Sequence, residues 1–310
     1  MRRILVIFLA LVTLQACTKE SSHNEGLLSF GISGSEVIEV RSMPFGSVAE
    51  SQTDVATKGS PVLPEVGVSE LDNFIVSAGI VTEPTSVVDA AAFGSIKETK
   101  FSVSAGSYVA SAYNCTEQQA HPADGFGCVR YFGTKNFDVQ AGKSANVVID
   151  CEVANSMVSV VLDESFLKVF KSAATEVIIH TNPDRTERPL VFDNTRFLES
   201  GQPEQQVQID LAKCAFYPES TDLYVTIKTQ FNSLAGDGAL KEYVYSGTAT
   251  GDGALLRTGK AFWHKVRISA DLASVPDGII IKVGQDQETV QNGISISGYN
   301  NGSGLLEEDD

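Results

Sequence analysis

The residue with the clearest chemical role is Cys17, which stands directly after the small residue Ala16. Basic residues at positions 2 and 3 precede an apolar run that ends at Leu14, too short to span a bilayer and typical of a secretory signal peptide. A cysteine at this place is typical of a lipoprotein signal, in which the thiol takes the lipid and becomes the new N-terminus. We therefore expect acyl chains, palmitate among them, on Cys17. The alternative is an ordinary signal peptide that ends near a cysteine.

Four further cysteines lie in the rest of the chain: Cys115, Cys128, Cys151 and Cys214. In an oxidising compartment an even number of thiols favours disulfides, but four cysteines allow three pairings and the sequence does not choose among them. Cys115 and Cys128 lie in one loop-rich segment and could close a short loop. Cys151 lies on an apolar strand face, where a buried free thiol is an equal alternative.

The histidines do not form a recognisable catalytic pattern. His23 lies in a polar tether, His121 precedes a proline in a loop, His180 ends a strand pattern and His264 lies on an apolar strand face. Catalysis by a nucleophile needs a base within reach, and no Gly-x-Ser-x-Gly, His-Glu-x-x-His or phosphate-binding glycine loop occurs in the sequence. Cysteine and histidine spacings typical of zinc are also absent. We predict no enzyme activity, no catalytic residue, no metal and no cofactor.

Two aromatic residues indicate a second kind of candidate site, a glycan-binding surface. Sugar sites use exposed aromatic rings as flat platforms, and Trp263 and Tyr243 are the candidates because each has a second aromatic residue close by in the sequence. The alternative is that these rings fill a core or cover its edge. A glycan-binding surface lipoprotein is therefore the alternative function.

The chain is strongly acidic, with 39 Asp and Glu against 23 Lys and Arg and a formal net charge of −16. Such a surface repels phosphate backbones and anionic headgroups, so we predict no nucleic-acid partner. No segment after the signal approaches ~18 uninterrupted apolar residues. We therefore expect the lipid on Cys17 to provide the contact with the membrane.

Alternation of apolar and polar residues predicts an all-β fold of two tandem antiparallel β-sandwich domains with one short helix. The clearest case is the stretch 145–153, in which Val147, Ile149, Cys151 and Val153 face one way. Leu28, Phe30 and Ile32 predict a first strand, and the short helix is predicted over 163–170 with Asp163 as its cap. Further strands are predicted at 73–78, 101–105, 108–113, 158–162, 176–180, 189–192, 207–211, 223–231, 241–246, 262–269, 279–283 and 294–297.

The predicted organisation has five parts. They are a lipoprotein signal peptide over 1–16, a tether over 17–26, an N-terminal β-sandwich domain over 27–154, a C-terminal β-sandwich domain over 155–303 and an acidic tail over 304–310.

Three segments resemble blocks that recur in the fimbrillin-like lipoproteins of Bacteroidetes. In 101–114, two strand patterns flank Ala-Gly-Ser-Tyr; the second segment is 127–133 and the third runs over 137–155. Together they are similar to an uncharacterised lipoprotein family related to fimbrillin-type pilus subunits. The resemblance covers residues 27–200 well and the remainder at the level of pattern.

This resemblance implies a fimbrillin/transthyretin-like fold and a structural or adhesive role as a fimbrial subunit or its anchor or accessory component. In relatives that polymerise, a protease cuts after a basic residue beyond the first strand, and another subunit donates a strand to the vacated groove. Arg41 is then the best-placed processing residue and Lys58 the second, although Arg41 could equally be a solvated loop residue. The displaced strand would be 27–40.

The expected partners are other fimbrial subunits or surface proteins, bound by β-strand addition. The expected location is the outer membrane, through the lipid anchor, with exposure at the cell surface or in the fimbrium. Without cleavage the protein would keep its lipid and act as an anchor.

Overall fold

The protein is described here by a computed structural model. The structure describes residues 24–33, 63, 68–83, 85–199, 209–232, 240–245, 254–271 and 280–289. Within these residues it contains seventeen strands, four α-helices of a single turn and two 3₁₀ turns, which confirms the all-β prediction. The described helices are all far shorter than a membrane span requires.

The first part of the chain forms a five-stranded sheet in the order β3-β2-β5-β6-β8 and a three-stranded sheet in the order β4-β1-β7. Alternate residues of the strands point between the sheets, as the sequence pattern predicts, and pack with Phe74 from the segment before β2. The elements are β1 Glu25–Ser33, α1 Val68–Leu71, β2 Ile75–Ile80, β3 Ser86–Ala92, α2 Phe93–Ile96, β4 Phe101–Ser104, β5 Gly106–Tyr113, α3 Glu117–Ala120, β6 Tyr131–Val139, β7 Ser144–Asp150 and β8 Glu152–Val153.

The second part forms a four-stranded sheet in the order β12-β9-β16-β17 and a five-stranded sheet, in which β11-β10-β13-β14 lie in sequence and β15 also pairs with β13. Its two 3₁₀ turns are Ser172–Ala174 and Leu211–Lys213. The other elements are β9 Ser156–Leu162, α4 Glu164–Leu167, β10 Glu176–His180, β11 Leu190–Phe192, β12 Ala215–Tyr217, β13 Asp222–Gln230, β14 Leu240–Tyr245, β15 Leu256–Arg257, β16 Phe262–Asp271 and β17 Ile280–Thr289.

Strand β9 is buried on both faces, which its nearly continuous apolar sequence explains. Val158 and Val160 point into the core of the second sandwich. Met157 and Val161, on the opposite face, belong to the apolar cluster that continues into the core of the first sandwich. The two sandwiches are therefore joined by a continuous apolar contact.

Helix α4 begins where the sequence predicts it. The side chain of Asp163 accepts hydrogen bonds from the backbone N–H and the hydroxyl of Ser165, at 2.9 Å each. The rings of Phe166 and Phe170 pack together, with centroids 4.7 Å apart. The sequence predicted one short helix, whereas the described residues contain four, because α1, α2 and α3 are also single helical turns.

Candidate functional site

The first strand of the chain, β1, lies between β4 and β7 and completes the smaller sheet of the N-terminal sandwich. It pairs antiparallel with β4, with Leu28 opposite Phe101, and parallel with β7, with Phe30 opposite Val147. β1 is distant in sequence from both neighbours. An N-terminal segment thus fills a slot formed by later parts of the chain.

The slot is apolar because the inward-facing residues of β1 are almost completely buried. Leu28, Phe30 and Ile32 have exposed fractions of 0%, 3% and 6%, and the ring of Phe30 lies 6.0 Å from that of Phe101. Burying a side chain of this size stabilises a fold by about 1.5–3 kcal/mol. Loss of β1 would therefore expose an apolar groove.

The start of β1 approaches the β6–β7 turn closely. The N–H of Leu27 donates to the carbonyl of Lys143 at 2.9 Å, and the N–H of Gly142 donates to the carbonyl of Glu25 at 2.8 Å. A Cβ atom on Gly26 would lie 2.5 Å from Val139 Cγ1 and within 3 Å of two backbone oxygens. Only glycine fits this position without a shift of the turn.

The predicted lipidation and processing residues, Cys17, Arg41 and Lys58, lie outside the described residues. In the sequence, Cys17 stands shortly before β1, whereas both basic residues follow it. Cys17 and β1 would therefore stay on one segment after a cut at either basic residue.

The structure brings two of the predicted cysteines together. The sulfur atoms of Cys115 and Cys128 lie 3.6 Å apart, at the two ends of the connection between β5 and β6. Cys128 is exposed and Cys115 is half-buried. This contact distinguishes one of the three pairings that the sequence leaves open.

The other two cysteines are buried thiols. Cys151 Sγ lies 3.7 Å from the carbonyl oxygen of Ala112, and Cys214 Sγ lies 3.2 Å from Ser159 Oγ. Burial raises the pKa of each thiol to about 12, which makes both poor nucleophiles at neutral pH.

The interpretation of Trp263 as an exposed sugar platform was wrong. Its exposed fraction is 1%, its indole N–H donates to Ser159 Oγ at 2.9 Å, and Lys265 Nζ lies 4.5 Å from the ring centroid. Trp263 lies near the start of β16 and belongs to the apolar cluster of the first sandwich, so the ring fills the core. Tyr243 lies on β14 opposite Ile227, and its side chain is outside the described part of the structure.

The described histidines occupy separate environments. His121 Nε2 lies 3.2 Å from Asn155 Nδ2, and burial is the main cause that lowers the pKa of His121. His180 ends β10, and His264 lies within the core of the second sandwich. In the described ranges, no three histidine, cysteine or carboxylate side chains are arranged to hold a metal ion.

Sequence comparison places most of the chain in one family. The profile of a domain of unknown function, DUF4493, matches residues 24–228, which confirms the prediction of an uncharacterised family. No curated protein matches the sequence.

Solved structures similar to this chain have low sequence identity. A candidate cell adhesion protein from Bacteroides eggerthii has a TM-score of 0.41 and 10% identity, over 88% of this chain and 98% of that one. The fimbrial anchor protein Mfa2 from Porphyromonas gingivalis has a TM-score of 0.35 and 9% identity, over 84% and 97%. A fimbrial assembly protein from Parabacteroides distasonis has a TM-score of 0.34 and 9% identity, over 70% and 93%.

Proposed function

The chain belongs to the DUF4493 family, and we propose that it is a lipid-anchored surface protein with a structural or adhesive role. It serves as a fimbrial subunit or as the anchor or accessory component of a fimbrium, and it binds other subunits or surface proteins by β-strand addition. The observation that carries the proposal is the place of β1 between β4 and β7.

The pairing of these three strands supports strand addition. Within the described residues, β4 and β7 each form their ladder with β1. Removal of β1 would leave both with unpaired backbone groups and would uncover Val103, Val147 and Ile149, which are buried in the intact sandwich. A strand from another subunit would satisfy the backbone groups and cover the apolar side chains at once.

The lipid supplies the attachment. Acyl chains on Cys17 would hold the N-terminal segment at the outer membrane, and several chains on one residue make the attachment stable. A cut after Arg41 or Lys58 would free the body of the protein from this segment and vacate the groove. The uncut protein would keep both β1 and its lipid, which is the arrangement of an anchor.

The proposal includes no catalytic activity, cofactor or nucleic-acid partner. The strong negative charge of the chain supports the last point. The glycan-binding alternative is not proposed, because the buried ring of Trp263 offers no platform to a sugar.

Cross-linking across β1 and β7 tests strand addition. Ser29 Oγ and Asn146 Oδ1 lie 3.3 Å apart on the outer side of the sheet, so cysteines at these positions can be joined by a short bis-maleimide. The variant is S29C/N146C with C115S and C128S, which removes the two accessible native thiols. The single variants S29C and N146C in the same background are the matched controls.

The size of the cross-linked product on whole cells distinguishes the outcomes. If β1 of one copy occupies the groove of another copy, covalent dimers and larger species form, and they require both engineered cysteines. A product confined to the internally cross-linked monomer would show that β1 stays in its own groove, and would overturn the exchange of β1 between copies of this protein.

Lipid attachment is tested separately with an alkyne-labelled palmitate and the mass of the mature N-terminus. The wild type and C128S are expected to carry the label in the membrane fraction, whereas C17S is expected to lose it. An intact, unacylated chain in the cytoplasm would overturn the surface role.

A further inference from the structure

We propose that Cys115 and Cys128 form a disulfide bond in the exported protein, which closes the loop that docks the first sandwich onto the second. We call residues 114–130 the junction loop. The inference rests on the proposed function only for the oxidising surroundings of an exported protein.

Hydrogen bonds within the junction loop hold the two thiols close to each other. The side-chain amide of Asn114 donates to the carbonyl of Val129 at 2.8 Å, and its oxygen accepts from the N–H of Tyr131 at 2.8 Å. The N–H of Cys128 donates to the carbonyl of Ala120 at 3.2 Å. With the backbone fixed on both sides, bond formation requires the sulfur atoms to close from 3.6 Å to about 2.05 Å.

The two thiols differ in reactivity. A hydrogen bond from the Cys115 thiol lowers the pKa of Cys128 to about 7, and the same contact with Cys128 is the main cause that raises the pKa of Cys115. Cys128 is also the more exposed of the two. It is therefore the thiolate that reacts first.

The oxidant is a disulfide, either that of an envelope oxidoreductase or oxidised glutathione. The Cys128 thiolate attacks one sulfur of the oxidant, which forms a mixed disulfide and releases the other sulfur as a thiol. Cys115 loses its proton and attacks the Cys128 sulfur, which releases the second thiol. The protein loses two protons and two electrons, and the oxidant is reduced to two thiols.

The closed loop contains the contacts that reach the second sandwich. The guanidinium of Arg188 donates to the carbonyl of Pro122 at 3.1 Å and to that of Phe216 at 2.8 Å. The N–H of Phe216 donates to the carbonyl of Phe126 at 2.8 Å. The Phe126 ring also packs edge-on against Phe192, at 5.1 Å between centroids.

A covalent link at the base of this loop restricts the conformations that Pro122 and Phe126 could adopt when undocked. The disulfide would therefore hold the two sandwiches in one arrangement.

Thiol counting by mass spectrometry tests the pair. The full chain is extracted from the membrane fraction into acid, unfolded and alkylated with and without prior reduction. Lys100 and Arg130 flank a segment without Lys or Arg, so trypsin yields both cysteines on one peptide, 101–130. We expect this peptide to carry no alkyl group before reduction, to be about 2 Da lighter than the dithiol form, and to gain two alkyl groups after reduction.

Two variants and one exchange measurement complete the test. In C128S, Cys115 is expected to be alkylated without reduction, and in C115S the same holds for Cys128. Reduction of the wild type is expected to speed exchange of the Phe216 amide, which donates to the carbonyl of Phe126, roughly tenfold or more, because the loop then undocks more often. Exchange in β13 is the internal control.

Equilibration of the purified full chain with excess oxidised glutathione separates this inference from the proposed location. Formation of the internal disulfide, with Cys151 and Cys214 remaining as thiols, supports the pair wherever the protein resides. Two free thiols, or a glutathione adduct on Cys128 without ring closure, would overturn it. A cytoplasmic, unacylated chain would count against the surface role alone.

Discussion

The indole N–H of Trp263 donates a 2.9 Å hydrogen bond to Ser159 Oγ, and this bond joins β16 to its parallel neighbour β9. Both side chains are buried, and Ser159 Oγ also lies 3.2 Å from Cys214 Sγ. The tryptophan and serine thus satisfy each other in the apolar layer between the two sandwiches. This makes the pair a structural feature rather than part of a surface site.

Replacement of Ser159 by alanine is expected to destabilise the protein by about 1–3 kcal/mol, because the indole N–H would then lack an acceptor. The free energy of unfolding in urea measures the effect. In a W263F background, which removes the donor, S159A should cost clearly less, so the two substitutions should not be additive. Equal costs in both backgrounds would show that the hydrogen bond contributes nothing to stability.

The sequence predicted β1 well because its apolar residues alternate with small ones. The strand predicted over 145–153 is divided at Cys151 into β7 and β8, which belong to different sheets. The prediction failed at Trp263 because the face of β16 that carries this ring is fully covered only there, whereas Lys265 and Arg267 on the same face are half-buried. Alternation cannot distinguish a ring that faces solvent from one that packs against a second module. The strand predicted over 207–211 is also wrong in its described part. There, Asp210 caps a 3₁₀ turn by accepting from the N–H of Ala212 at 3.1 Å.

The junction between the sandwiches could not be predicted from the sequence. Asn155 and Arg188 are single polar residues without a repeating pattern, and their roles depend on carbonyl groups that only the fold brings within reach. Cys115 and Cys128 were identified as loop cysteines, but their pairing needed the register of β5 and β6, which pairs Tyr113 with Phe132.

Gly26 provides a test of how β1 docks. G26A is expected to destabilise the N-terminal sandwich by about 1–3 kcal/mol, since the added Cβ meets Val139 and two backbone carbonyls. The free energy of unfolding and protease resistance of β1 are the measurements.

The matched control is Gly31 on the same strand. A Cβ atom there would lie 3.5 Å from Val148 Cγ2, which is an ordinary contact. G31A should therefore stay within about 0.5 kcal/mol of the wild type. If the two variants behaved alike, the close approach at Gly26 would not govern the docking of β1.

Asn155 is expected to be important for the junction loop. Its side-chain oxygen accepts from the N–H of Arg130 at 3.2 Å, and its amide donates to the carbonyl of Cys128 at 2.9 Å. N155A leaves both partly buried backbone groups without this partner and should cost about 1–2 kcal/mol. Urea unfolding measures the loss, with N136A on the exposed side of β6 as the control. A loss no larger than that of N136A would contradict the assigned role.

His264 is expected to make the stability of the protein depend on pH. Its ring is 1% exposed in the core of the second sandwich, and neither ring nitrogen has a hydrogen-bond partner among the described residues. Burial lowers the pKa of His264 to about 4, from the ordinary 6.5 that applies in the unfolded chain. The folded state therefore keeps the ring neutral at a pH where the unfolded state already binds a proton.

The sign of the effect follows from this difference in proton binding. The contribution of the neutral His264 ring to the free energy of unfolding is fully present above pH 6.5. It is lost as the pH falls toward 4, and the free energy of unfolding drops by about 3 kcal/mol over that interval. H264L removes the titration, so the stability difference between H264L and the wild type should widen in favour of H264L between pH 7 and pH 4 and level off below. Comparing the two proteins at each pH cancels the contribution of the many carboxylates, which both share. A difference that stays constant from pH 8 to pH 4 would show that His264 titrates alike in the folded and unfolded chains.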